Sequence, residues 1–193
     1  MGRPKTYDRD DVARRAMPVF WRHGYEGTTI QHLEDALAVN RCSLFAEFGS
    51  KQGMFEAALE VYEVEVVTPN LAELEREDAS PAAVVAMLER FRYPTVEIDE
   101  AGCMLCNASL EQMPDSPIVR DQVSAYFDRL RSAFQNALGI DEAAAAAITS
   151  AVVGAFVQIR HGMSADARST MVDGLLALAD TRSNIRPRHE LVG

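Results

Sequence analysis

Apolar residues recur along this chain at the three-and-four spacing of helices that bury one face, and short polar residues of capping type punctuate them. The first such segment opens behind Asp8, with Asp11 three residues on, and carries Val12, Ala16, Val19 and Phe20 on one side. Pro18 lies inside it and is expected to bend it, and Gly24 to end it with a left-handed cap. Thr28, with Gln31 completing a capping box, predicts a second helix that turns Ile30, Leu33, Ala36 and Leu37 inward. After a break at Ala38-Val39-Asn40, Asn40 caps a third helix bearing Leu44, Phe45 and Phe48. Gly49-Ser50 ends that helix and caps a longer fourth, expected to run to Thr68-Pro69. Two short capped helices about a tight turn, followed by a helix with a basic start, form a layout that places a helix in the major groove of DNA.

The pattern continues with weaker punctuation. Helices are expected from Ser80-Pro81 to Tyr93-Pro94, from Cys103 to Met113, from Ser116-Pro117 to Gly139, from Asp141 to Gly162 and from Ser164 to Arg182. Thr95 to Gly102 reads as an acidic loop, and residues 183–193 as a disordered tail. Strand signals and internal repeats are absent. The expectation is an all-α protein of about nine helices. A helix-turn-helix domain with a basic arm would cover residues 1–52, and a helical regulatory and dimerisation domain residues 53–182.

Charge changes this picture through its distribution. The net charge of −10 argues at first against a nucleic-acid partner. Residues 1–51, however, carry eight Lys/Arg against seven Asp/Glu, whereas residues 61–193 carry eleven against twenty. The acidity belongs to the C-terminal part, which leaves room for a basic face on the first fifty residues. The polar, basic start has no apolar signal core, and three cysteines in such a chain suggest reduced thiols in the cytoplasm. The apolar run from Ala143 to Ile159 is broken by Thr149, Ser150 and Gln158 and reads as a buried helix, so no membrane partner is expected.

Enzyme chemistry finds little support. There is no phosphate loop and no metal-ligand spacing, and His23, His32, His161 and His189 are scattered, so neither metal nor cofactor is expected. Cys103 and Cys106, three apart, share a helix face and are the one chemical possibility. They leave open a thiol-based redox sensor or a thiol-dependent enzyme, beside the plainer reading of two buried small apolar residues.

The segments GRPK, FWRHGYEGTTI and LEDALAVNRCSLFAEFGSKQGMFEAAL together resemble the N-terminal domain of the TetR/AcrR family of bacterial transcriptional regulators, over about residues 3 to 62. The resemblance implies that Asn40, Arg41, Cys42 and Ser43 meet base edges, with Arg41 able to hold guanine bidentately. Phe45 stands where the family usually has a phosphate-binding tyrosine, and Ala38 where it usually has a turn glycine. Lys51, Thr28 and Thr29 would hold phosphates at helix N-termini, and Arg3 and Lys5 would form a minor-groove arm. It further implies a homodimer on a pseudo-palindromic operator in double-stranded DNA, released by a small-molecule effector, and most simply a repressor. The expected dimer face is Val152, Phe156 and Ile159 with Met171, Leu175 and Leu178, since both helices show apolar residues on two sides. The expected effector pocket is Met87, Phe91, Cys106, Asn107, Leu110, Phe127 and Phe156.

Overall fold

The computed structural model describes residues 8–93, 101–111 and 115–183, without the side chains of 181–183. Among them the ordered elements are helices, and no strand occurs. Helices α1 (Arg9–Gly27), α2 (Ile30–Leu37) and α3 (Arg41–Phe48) form the head. α4 (Lys51–Tyr62) runs into a π-helical turn (Glu63–Val67) and a last α turn, α5 (Thr68–Leu71). The body adds α6 (Pro81–Arg92), α7 (Met104–Ala108), α8 (Pro117–Leu138), α9 (Glu142–Arg160) and α10 (Ala165–Ser183).

Most helix starts sit where a short polar side chain takes an orphan N–H. Asp8 accepts from Asp10, Asn40 from Ser43, Ser50 from Gly53, Ser116 from Val119 and Asp141 from Ala144. Each such cap contributes about 1 kcal/mol. α2 departs from expectation by one residue. Its cap is Thr29, and the reciprocal bond comes from His32, whose Nδ1 accepts from the Thr29 N–H (3.3 Å). Gln31 bonds Asp35 instead. Thr28 is fully buried, and its hydroxyl donates to the Gly24 carbonyl (2.6 Å).

Pro18 lies within α1, and the break falls later, at Gly24 (φ 72°, ψ 177°). The turn between α2 and α3 keeps a left-handed residue although no glycine is present: Ala38 has φ 53° and ψ 34°. The expected single helix from Ser50 to Thr68-Pro69 is interrupted by the π turn, in which the Thr68 N–H reaches back five residues to Glu63.

One continuous buried cluster joins head and body, from Val12 to Ala179. α4 packs chiefly on α1 and also meets α7 and α8, so it serves both halves. α9 is long and apolar enough by length and composition to cross a membrane, with a mean hydropathy of 1.6 over its most apolar window. Here it lies against α7, α8 and α10 and buries Ala145, Ile148, Val152, Ala155 and Ile159, the behaviour of a core helix. Arg3, Lys5, the acidic stretch 94–100 and the tail after 183 lie outside the described residues.

Candidate nucleic-acid interface

The head presents the first turn of α3. Its inward residues, Leu44 and Phe48, are buried, while Asn40, Arg41 and Cys42 are exposed and Ser43 is half-exposed. Glu34 of α2 accepts the Arg41 backbone N–H (2.5 Å), a bond that ties the start of α3 to the preceding helix. The Arg41 guanidinium lies 5.1 Å from the Phe45 ring centre. Phe45 thus supplies a flat apolar support on which the charged fork rests. On the other side of the turn, Arg15 of α1 donates to the carbonyls of Ala36 and Leu37, closing the C-terminus of α2.

Two expected phosphate ligands have other work. Thr28 is enclosed and satisfied within the chain, so its hydroxyl cannot meet DNA. Lys51 turns back into the head: its Nζ donates to the Tyr25 carbonyl (2.8 Å) and the Thr28 carbonyl (3.0 Å) and sits 4.3 Å from the Tyr25 ring centre. Burial lowers its pKa, against the pull of Glu111 and Glu26. It is a strut between α4 and the α1–α2 junction. Thr29 remains exposed at the start of α2.

Behind the head a second set of groups bolts it to the body. The Trp21 indole N–H donates to the Gly102 carbonyl (2.8 Å). Glu111 accepts the N–H groups of Tyr25 (2.5 Å) and Glu26 (3.2 Å) and lies 3.6 Å from Arg160. The backbone at Gly24, with φ 72°, favours glycine, and the Glu111 carboxylate lies in the space that a Cβ at residue 24 would occupy. Nothing in the sequence pattern marks Trp21, Glu111 or Arg160, because Trp21 and Gly102 are 81 residues apart, Tyr25 and Glu111 86, and Trp21 and Arg160 139.

In the body, a cleft of about 520 Å³, counted to its open mouth, is lined by Tyr62, Val66, Val67, Asn70, Leu71, Met87, Arg90, Phe91, Gly102, Tyr126 and Phe156. Of the expected pocket residues, Met87, Phe91 and Phe156 are there, with the Phe91 and Phe156 rings packed edge to face at 4.9 Å. The other four are not. Cys106 is fully buried, Asn107 uses its amide to hold the Ala101 carbonyl (2.7 Å), Leu110 is 65% exposed and Phe127 packs beside Tyr126. The polar groups of the cleft are Tyr62, Tyr126, and Arg90 paired with Asn70 (2.5 Å).

Cys103 and Cys106 are reduced and buried directly behind this cleft. Burial opposes ionisation of Cys103. Against it, the thiol and backbone N–H of Cys106 and the hydroxyls of Tyr126 and Tyr62 all bond the Cys103 sulfur and hold its pKa below the ordinary thiol value. The bond to Cys103, and burial, push Cys106 up. Among the described residues no cluster of His, Cys, Asp and Glu could hold a metal ion.

Much of the expected dimer face is used inside the subunit. Val152 and Ile159 are fully buried inside the subunit, Leu175 is nearly so, and Phe156 faces the cleft. Met171 and Leu178 stay half-exposed. The outward side of α9 instead carries Ala147, Ala151, Gly154 and Val157, and that of α10 carries Gly174.

A helix-turn-helix head with an exposed arginine fork, fused to a helical body with a cleft, defines a DNA-binding regulator, and comparison with known proteins agrees. The model of the bacterial regulatory proteins of the tetR family matches residues 12–58. The chain is similar to the HTH-type transcriptional repressor ComR of Escherichia coli (35% identical over 60% of this chain and 56% of ComR). It is similar to the HTH-type transcriptional regulator YezE of Bacillus subtilis (30% identical over 71% of this chain and 69% of YezE). A solved cysteine mutant of the TetR-family regulator CifR, complexed with 26-base-pair operator DNA, matches with a TM-score of 0.69 at 29% identity, over 96% of this chain and all of that one. The chain belongs to the TetR family of bacterial transcriptional regulators. Its relatives are DNA-binding regulators rather than enzymes. In the match with ComR the chain spans little more than half of that protein's length.

Proposed function

We propose that this chain is a homodimeric repressor that reads a pseudo-palindromic operator with α3 and leaves it when a small molecule occupies the cleft. The observation that carries the reading is the exposed first turn of α3, with Arg41 propped on Phe45 and α3 tied to α2 through Glu34. Arg41 has the fork geometry that matches the O6 and N7 acceptors of guanine. Asn40, Cys42 and Ser43 flank it, Thr29 offers a hydroxyl to a phosphate, and Arg3 and Lys5 belong to an arm ahead of α1. Residues 1–52 are the reading domain and 53–182 the regulatory and dimerisation domain.

The partner surface is the outward side of α9 and α10. Gly154 and Gly174 have open space above them, although glycine inside a helix costs roughly 1 kcal/mol. A second copy packed there would use that space through close helix approach. Two heads must then match half-sites roughly 34–36 Å apart, so a small pivot of each head costs affinity steeply. The cleft walls suit an apolar effector with one polar or anionic group directed to Arg90 and Asn70.

The test is fluorescence anisotropy with duplex DNA from upstream of the protein's own gene, across a salt series, with an unrelated duplex as control. Selective binding with log affinity falling linearly against log salt is expected. Arg41→Ala is expected to lose roughly ten- to hundredfold in specific affinity while retaining its circular dichroism. A variant that binds every duplex as the parent does would overturn the assignment of Arg41. A genome-wide selection that finds no site would overturn the regulator reading.

A further inference from the structure

At the junction of α1 and α2 two exposed histidines lie ring on ring. The imidazoles of His23, just before the Gly24 break of α1, and His32, in the first turn of α2, stack with centres 4.9 Å apart and planes inclined by 28°. His32 also closes the capping box of α2. Its backbone N–H donates to the Thr29 hydroxyl (3.1 Å), and its Nδ1 accepts the Thr29 N–H (3.3 Å). An accepting Nδ1 puts the proton of the neutral ring on Nε2. Glutamate or glutamine ordinarily fills this position of the box. A glutamate would close the box and repel an anion in front of it, whereas histidine closes it when neutral and attracts an anion when charged.

The place of the pair gives this difference a use. α2 is the first helix of the helix-turn-helix, the one that crosses the DNA backbone when the second lies in the major groove. Thr29 is exposed at its start, so its N–H, the His32 ring and the His23 ring share one solvent-facing corner of the head. The charged groups about this corner come from four places. Arg22 and Glu26 are exposed on α1 to either side of His23. On α2, Asp35 is bonded to Gln31 and Glu34 to the Arg41 N–H. Lys51 of α4 is held by the Tyr25 and Thr28 carbonyls, and Glu111 of the body by the Tyr25 and Glu26 N–H groups.

We propose that His23 and His32 form a proton-dependent contact to the DNA backbone, so that binding a duplex takes up a proton at the pair and grows stronger as the pH falls. Once Nδ1 of His32 carries a proton it donates instead of accepting, and the Thr29 N–H that it held is released. Both donors then serve a phosphate oxygen. His23 offers the charged ring the face of a neutral one, and two like charges 4.9 Å apart would repel, so the pair takes one proton rather than two. Histidine changes charge between about pH 5 and 8. A duplex that favours the protonated pair therefore binds more tightly as the pH falls through that window, and the gain is lost as it rises. The inference rests on the DNA-binding function proposed above.

The experiment is fluorescence anisotropy of the full chain at pH 7.5 and pH 6.0, across a salt series, with the upstream duplex and the unrelated one. Calorimetry in two buffers of different ionisation heat counts the protons. Expected are roughly three- to tenfold tighter binding at the lower pH, a salt slope steeper by about one, and uptake of about one proton. His32→Gln keeps the capping box and is expected to retain the circular dichroism while losing the proton uptake and the pH dependence. His32→Glu keeps the box as well and is expected to bind more weakly at both pH values. His23→Gln is expected to reduce the gain, and His161→Gln, remote at the end of α9, to leave it whole. A parent protein with equal affinity at both pH values, or a His32→Gln variant with the full pH dependence, would overturn the proposal and leave the repressor reading intact. Backbone contacts do not read sequence, so the pH dependence is expected on the unrelated duplex too. Equal binding to both duplexes that still tightens on protonation of the pair would sink the operator reading alone. A chain that binds no duplex would overturn both.

Discussion

Head and body solve the problem of holding a surface in place by different means. The head uses helices of eight residues, α2 and α3, which are too short to be stable alone, and secures them by caps, by Glu34 and by the Arg15 and Lys51 struts. The body uses helices of 19 to 22 residues, α8, α9 and α10, whose order comes from burying one or two faces. The lesson is that the head's recognition turn is specified by polar bonds of short reach, whereas the shape of the cleft is set by packing between distant segments. Between the two, beside α4 and the continuous buried cluster, long-range bonds such as Trp21–Gly102 and Glu111–Tyr25 tie α1 of the head to the body.

The strongest test of this contrast is truncation of one core ring on each side. Phe20→Ala in the head and Phe134→Ala in the body each remove a ring with about 1% exposure or less, at a cost of roughly 3–5 kcal/mol. Because the buried cluster is continuous, urea unfolding followed by far-ultraviolet circular dichroism and by Trp21 emission is expected to give coincident transitions in both variants. A head that melts first in Phe20→Ala would break the picture of one cooperative unit. The junction gives the next largest effect. Glu111→Ala leaves the N–H groups of Tyr25 and Glu26 without their acceptor and is expected to cost about 2 kcal/mol in midpoint stability. It should also blunt the effect of any cleft ligand on operator affinity. The smallest effect sharpens the picture of the turn. Ala38→Gly relieves a left-handed alanine and is expected to raise stability by up to about 1 kcal/mol, read as a shift in the thermal midpoint. A loss of stability would mean that the extra freedom of glycine in the unfolded chain outweighs the relief.

The same division governs what the amino-acid order revealed. Asp8, Asn40, Ser50, Ser116 and Asp141 are legible as caps because the bond each makes spans two or three residues. Thr28 and Thr29 are adjacent and chemically alike, and only the Gly24 carbonyl, four residues back, decides that Thr28 is sealed inside and Thr29 caps. Lys51 reads as a phosphate ligand until Tyr25 and Thr28 are seen to offer it two carbonyls. In the body, periodicity finds both apolar sides of α9 but not which one the subunit keeps; Val152 and Ile159 are used up internally. Cys106, Asn107 and Leu110 miss the cleft because a five-residue helix and its exit are oriented by neighbours far along the chain, and on α8 it is Tyr126, beside Phe127, that lines it.

The π turn at Glu63–Val67 has a consequence for tracing this chain's history. A turn closed over five residues instead of four holds one residue more than a regular helix needs, so everything from Thr68 onward is rotated relative to α4. Asn70 and Leu71 reach the cleft in that rotated register, Val66 and Val67 from within the turn itself, while Phe55 keeps the unrotated one against Phe20 and Tyr25 of the head. Deleting a single codon inside 63–67 would heal the helix and swing the cleft side of α5 out of place, leaving the start of α4 untouched. An alignment that slides across this turn without a gap would pair each cleft residue beyond it with the wrong position in a relative that lacks the turn.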